Sequence, residues 1–201
     1  MFVVCLSAVK DMFEDLKRHN SDNFENNRPV MRLDKTQKKF VPSKWKHLQV
    51  GEIIMVEQDQ FFPSDLILLR SSNAGGLAYV ETKNLDGETN LKHKTALKDL
   101  QKDIHTEADC SGLSGKVVCE PPNDMLYKYE GTLEVGKQVY ALDANILLVR
   151  GSSLKNTEWV YGLVVYTGHD TKIMMNSSSA KAKFSNLEKS TNTQIVWIFL
   201  F

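Results

Sequence analysis

Tyr79-Val80-Glu81-Thr82-Lys83-Asn84-Leu85-Asp86-Gly87-Glu88-Thr89-Asn90-Leu91-Lys92 is the stretch on which the reading of this chain turns. It sets an acidic turn between two strand-like runs and offers Glu88 at the tip, where a carboxylate can reach into another domain. Asp86-Gly87 is in the first place a hairpin signal, because both central positions of a type I′ turn want positive φ. On spacing alone the turn is structural and Glu88 is a solvated side chain.

Outward from this loop the pattern is short and strand-like: Val30–Leu33, Lys39–Val41, Ile53–Val56, Leu66–Leu69, Leu77–Glu81, Lys116–Cys119, Tyr127–Leu133, Gln138–Leu142, Ile146–Val149 and Trp159–Tyr166. Many short strands punctuated by Gly and Pro predict a mainly β fold, a β-sandwich or distorted jelly roll. Val9, Met12, Phe13 and Leu16 fall at helical spacing, with Glu14 and Arg18 paired on the polar face, so a helix is expected from Val9 to about Asn20. The Asn- and Asp-rich Ser21–Asn27 stretch before Pro29 reads as a linker. Ala96 to about Ile104 is the one clear internal helix candidate and reads as a surface insertion, and polar 176–192 reads as a second linker.

Twenty-five basic residues cancel twenty-five acidic ones in a 201-residue chain, so no electrostatic ground exists for binding nucleic acid. Cys5, Cys110 and Cys119 lack close-paired spacing, which argues against a disulfide framework or a zinc site. The histidines 19, 47, 93, 105 and 169 show no i,i+4 pair, and no metal ligand set is expected. Apolar runs lie at 1–9 and 195–201, each far short of the ~20 residues that cross a bilayer. Their placement on either side of a polar domain, flanked by Lys10, Lys17, Arg18, Lys181, Lys183 and Lys189, is expected of two membrane-helix stubs with the domain looped out on the cytosolic side.

The whole loop string resembles the actuator-domain signature of P-type ATPases in its phospholipid-flippase form, which reads Asp-Gly-Glu-Thr where ion pumps usually have Thr-Gly-Glu-Ser. The resemblance continues along the chain in Phe61-Phe62-Pro63-Ser64-Asp65-Leu66, in Cys119-Glu120-Pro121-Pro122-Asn123 with Leu126-Tyr127, in Asn156-Thr157-Glu158-Trp159, and in Tyr166-Thr167-Gly168-His169-Asp170-Thr171-Lys172. Ser64 stands where Ala is commoner in the family. The resemblance implies the end of a second transmembrane helix over 1–9, a helical extension and linker over 10–28, an actuator domain over 29–175 with a flippase-type insertion over 95–145, a linker over 176–193 and the next transmembrane helix from 194 to 201.

It further implies that Glu88 promotes hydrolysis of an aspartyl phosphate formed elsewhere in a longer chain, with Asp86, Gly87 and Thr89 shaping its loop. ATP and Mg2+ then belong to the full-length, multi-pass membrane enzyme and not to this segment, which should be inactive alone. Its implied partners are the phosphorylation and nucleotide-binding domains of the same chain and a phospholipid reached through other membrane helices; whether an accessory subunit joins them stays open. Two decoys are rejected. Asp34-Lys35-Thr36-Gln37 lacks the Gly of the phosphorylated Asp-Lys-Thr-Gly motif, and Gly131–Lys137 is followed by Gln138 where a phosphate-binding loop needs Ser or Thr. Two alternatives stay open: a non-catalytic, membrane-tethered β-rich interaction module, and the actuator of a cation-transporting P-type ATPase.

Overall fold

The computed structural model describes residues 2–104 and 106–177, with 190, 191, 193, 194 and 197 beyond them. It begins with α1 (Phe2–Asn26), a single helix that runs through most of the stretch expected to be a linker. Asn and Asp are weak helix formers, not breakers, and the helix runs to Asn26, ending just before Arg28, which as the residue before Pro29 is pushed out of the α region. The Asn23 carbonyl closes the end, accepting the Asn27 N–H at 3.1 Å and the Asn27 side-chain amide at 2.7 Å. Val9, Met12, Phe13 and Leu16 form an exposed apolar stripe on this helix. Among the described residues no helix is long and apolar enough to cross a membrane. Of the expected stub at 194–201, only 194 and 197 are described.

Then come β1 (Pro29–Asp34), β2 (Lys39–Lys44), β3 (Ile53–Glu57), β4 (Asp65–Ser71), β5 (Leu77–Glu81), α2 (Lys83–Asp86), β6 (Lys92–Thr95), α3 (Lys98–Asp103), α4 (Glu107–Gly112), β7 (Gly115–Cys119), β8 (Gly131–Val135), β9 (Gln138–Leu142), β10 (Leu147–Leu148), β11 (Ser153–Lys155), β12 (Trp159–Tyr166) and α5 (Lys172–Asn176). The strands build three sheets, ordered β10-β4-β12-β3-β1-β2, β11-β5-β6 and β7-β8-β9. Every strand pairing is antiparallel, which makes the fold mainly β as the strand pattern predicts.

The core is densest along β4, where Asp65 to Leu69 are all buried, so both faces of the strand are covered. Beside it, Gly162 on β12 sits where an added Cβ would lie 2.9 Å from Leu66 Cδ1, and the register between the two strands slips between Tyr161 and Gly162. The missing side chain lets Leu66 occupy that space. At the head of β4 the buried Asp65 carboxylate accepts the backbone N–H groups of Arg150 and Lys172, both at 2.8 Å. Burial raises its pKa against the opposing pull of those bonds. Two long-range segments are thereby pinned to one strand end.

Several local expectations are corrected. Tyr127 to Glu130 is not strand; β8 starts at Gly131, because the preceding segment is tied to another part of the molecule. The helix at Lys98–Asp103 is no mere surface insertion, since Ala96, Leu100 and Ile104 around it are buried in the core. A second short helix, α4, follows under a capping box: the Thr106 hydroxyl accepts the Asp109 N–H at 3.3 Å, and Asp109 Oδ2 accepts the Thr106 N–H at 2.7 Å. Strands β6 and β11 were not anticipated. The two decoys are hairpin turns: Asp34 Oδ1 accepts the Thr36 and Gln37 N–H groups between β1 and β2, and Gly136, at φ 61°, turns β8 into β9.

Candidate functional site

Strands β5 and β6 pair antiparallel with Val80 opposite Lys92, so residues 82–91 are held at both ends. The turn inside them is not type I′. Lys83–Asp86 form one helical turn instead, with the Thr82 carbonyl accepting the N–H groups of Leu85 at 2.8 Å and Asp86 at 3.1 Å. Gly87 ends it in the left-handed region at φ 76°, donating to the Lys83 carbonyl at 3.0 Å, which is the position where helices most often use Gly. Leu85 packs against the core and fixes the turn on the sheet.

Asp86 is the hub of this loop. Its carboxylate accepts the Thr82 hydroxyl at 2.9 Å, the Glu88 backbone N–H at 2.9 Å, the Lys92 ammonium at 2.5 Å and the Tyr127 hydroxyl. Burial works to raise its pKa, but the bonds from Lys92, Tyr127, Glu88 and Thr82 outweigh it and hold the carboxyl well below the usual carboxylate range. For Lys92, burial lowers the pKa, while its bonds to Asp86, Tyr127 and Glu88 prevail and raise it. Both groups are therefore charged at neutral pH.

Glu88 stands next along the chain, its side chain 58% exposed and its Oε2 3.1 Å from Lys92 Nζ. Thr89 is exposed beside it. The structure thus brings Asp86, Gly87, Glu88 and Thr89 together on one turn, from which the Glu88 carboxylate projects. Among the described residues no group of His, Cys, Asp or Glu is disposed to hold a metal.

Sequence reasoning assigned no role to Lys92 or Tyr127. Tyr127 comes from the segment between β7 and β8, and its ring centroid lies 4.4 Å from Lys92 Nζ. That segment is itself anchored. The buried Lys172 ammonium donates to Asn123 Oδ1 at 2.7 Å and to Glu120 Oε1 at 3.3 Å, and the Tyr166 hydroxyl donates to the Glu120 carbonyl at 2.7 Å. Leu126 and Tyr127 then close over Thr82, Leu85 and Lys92, leaving a void of about 20 Å³, room for about one water. A larger cavity of about 460 Å³, lined by Val50, Ile53, Val117, Leu133 and Leu163, contains none of the loop residues.

No protein-family profile matches the chain. Among curated proteins it is 46% identical over 199 residues to the probable phospholipid-transporting ATPase 7 of Arabidopsis thaliana, covering 99% of this chain and 16% of that protein. It is 42% identical over 200 residues to phospholipid-transporting ATPase IC of Xenopus tropicalis, and 40% identical over 199 residues to phospholipid-transporting ATPase DRS2 of Saccharomyces cerevisiae. The chain spans only 16% and 15% of the length of those two. A solved zinc-transporting PIB-type ATPase in the E2.Pi state superposes with a TM-score of 0.44 at 12% identity, over 86% of this chain and 21% of that one, a likeness too loose to carry an inference.

Proposed function

We propose that this chain, 40–46% identical over nearly its whole length to phospholipid-transporting ATPases, is a segment of such a protein and forms the actuator domain of an ATP-driven phospholipid translocase. In this reading a catalytic aspartate elsewhere in the longer protein takes the γ-phosphoryl group of ATP, and Glu88 promotes hydrolysis of the resulting acyl phosphate. A water oxygen forms the new bond to phosphorus, the bond from phosphorus to the aspartyl oxygen breaks, and the aspartate leaves as a carboxylate. Glu88 orients that water and accepts its proton. The observation that carries this is the exposed Glu88 carboxylate on a turn whose base is locked by the bonds to Asp86. A side chain on a rigid turn reaches a phosphorylated site in one geometry when domains dock, which makes the docked state the competent one.

Gly87 contributes by shape. An added Cβ there meets no atom within 4 Å, so the position is open toward any docking partner, and its positive φ sets the direction in which Glu88 leaves the turn. Movement of the domain as a rigid body would pull on α1 and on whatever follows residue 177, coupling phosphate hydrolysis to the lipid path. The partners in this reading are the phosphorylation and nucleotide-binding domains of the same protein and a phospholipid, with the domain on the cytosolic side of the membrane.

The test is a Glu88→Gln change in the full-length protein, which keeps side-chain shape while removing the proton acceptor. Phosphoenzyme should form from ATP and accumulate at steady state. A wild-type steady-state level with wild-type turnover would leave the turn a structural one.

A further inference from the structure

We propose that Tyr127 and Lys92 are positioning residues for Glu88, Tyr127 being delivered by the segment between β7 and β8. This rests on the reading of Glu88 just given. An ammonium carries donors and no acceptor, and that of Lys92 is surrounded by three oxygens: it donates to Asp86 Oδ2 at 2.5 Å and to the Tyr127 hydroxyl at 3.0 Å, and forms an ion pair with Glu88 Oε2 at 3.1 Å. The first two partners are held by the fold, Asp86 by the Thr82 hydroxyl and the Glu88 amide, Tyr127 by its anchored segment. These two partners fix where the ammonium sits, and Glu88 Oε2 pairs with it there at 3.1 Å. The Tyr127 hydroxyl does two jobs at once, donating its proton to Asp86 and accepting from Lys92. Take away that one oxygen and Lys92 keeps its ring contact but loses an anchor.

The chain of support extends further back. Lys172 holds Glu120 and Asn123, their segment holds Tyr127, and Tyr127 with Asp86 holds Lys92 against Glu88. Through it the direction of the Glu88 carboxylate is set partly by residues far along the chain. The Lys92–Glu88 pair is the longest and most exposed of the three contacts, so it lies on the side that meets the phosphorylated site on docking, with Glu88 still held by Lys92.

The test follows the decay of phosphoenzyme in the full-length protein, formed with labelled ATP and then chased with unlabelled ATP. A decay constant does not depend on how much of the protein folded. Tyr127→Phe keeps the ring and should slow decay by about 10-fold, the scale of one charge-assisted hydrogen bond withdrawn from the transition state. Lys92→Met should slow it at least as much, and Lys92→Arg, which keeps charge and donors, should restore much of the rate. Tyr140→Phe, on the distant β8–β9 hairpin, should decay as the wild type does. In a Glu88→Gln background, adding Tyr127→Phe should slow decay by less than about twofold, because residues acting through one group are not additive. Slow decay in Glu88→Gln with wild-type decay in Tyr127→Phe and Lys92→Met would overturn this proposal and leave the role of Glu88 standing. A full Tyr127→Phe effect in the Glu88→Gln background would overturn it as well. Wild-type decay in Glu88→Gln itself would remove the reading beneath it.

Discussion

Lys172 donates its ammonium to Asn123 at 2.7 Å while its own backbone N–H is held by Asp65 at 2.8 Å, so one buried residue joins the head of β4 to the segment that covers the Glu88 loop. Its side chain has no exposure at all, and buried charges persist in folds only when paired and hydrogen-bonded. Its removal should be felt both in stability and at the loop.

Lys172→Ala should destabilise the chain by about 2–4 kcal/mol, since it empties buried volume and strands Asn123 and Glu120. The midpoint of urea unfolding measures this. A change within about 0.5 kcal/mol, the range of ordinary surface substitutions, would show that the pair contributes nothing to the fold.

Lys94, on β6 next to the loop, donates to the Ala144 carbonyl at 2.7 Å, and its burial lowers its pKa to about 8 from an ordinary 10.5. Between those values the unfolded chain keeps the proton and the folded chain has released it, so folding stability rises with pH across that window. Relative to a Lys94→Met variant, the wild type should therefore gain about 2–3 kcal/mol as pH is raised from about 8 to 10.5. Denaturation series at fixed pH steps measure the difference. A pH-independent gap would place the Lys94 ammonium in water.

Gly87→Ala should cost about 1 kcal/mol through its φ of 76° alone, since no neighbour lies within 4 Å of the new methyl. Gly87→Asn should cost less, because Asn tolerates the left-handed region. Thermal unfolding of the two variants ranks them. An Ala variant as stable as the wild type would mean that the turn relaxes out of that region.

Much of the fold was legible because its densest strands carry their own signal: the Leu- and Ile-rich β4 and the aromatic and β-branched β12 are strands on composition and length alone. Lys92–Thr95 has no such signal. Its sequence Lys-His-Lys-Thr becomes β6 only because β5 lies beside it, which is a tertiary effect that local propensity does not contain. The α4 start was written in Thr106 and Asp109 and could have been read as a capping box. The loop itself was legible as a contiguous motif, down to Glu88 at its tip, but its turn is a Gly-capped helical turn and not the hairpin type that Asp-Gly suggests. Tyr127 was beyond reach. Its contact with Asp86 spans 41 residues, and nothing in either neighbourhood announces the other.

The most direct measurement is the decay of acid-stable phosphoenzyme in full-length Glu88→Gln protein, with phospholipid present and phosphorylation quenched by chase. Loss of a positioned general base predicts decay slowed by about 10²-fold or more, with phosphorylation from ATP intact. Decay at the wild-type rate in a protein that still phosphorylates would contradict the assignment of Glu88 and return the loop to a purely structural role.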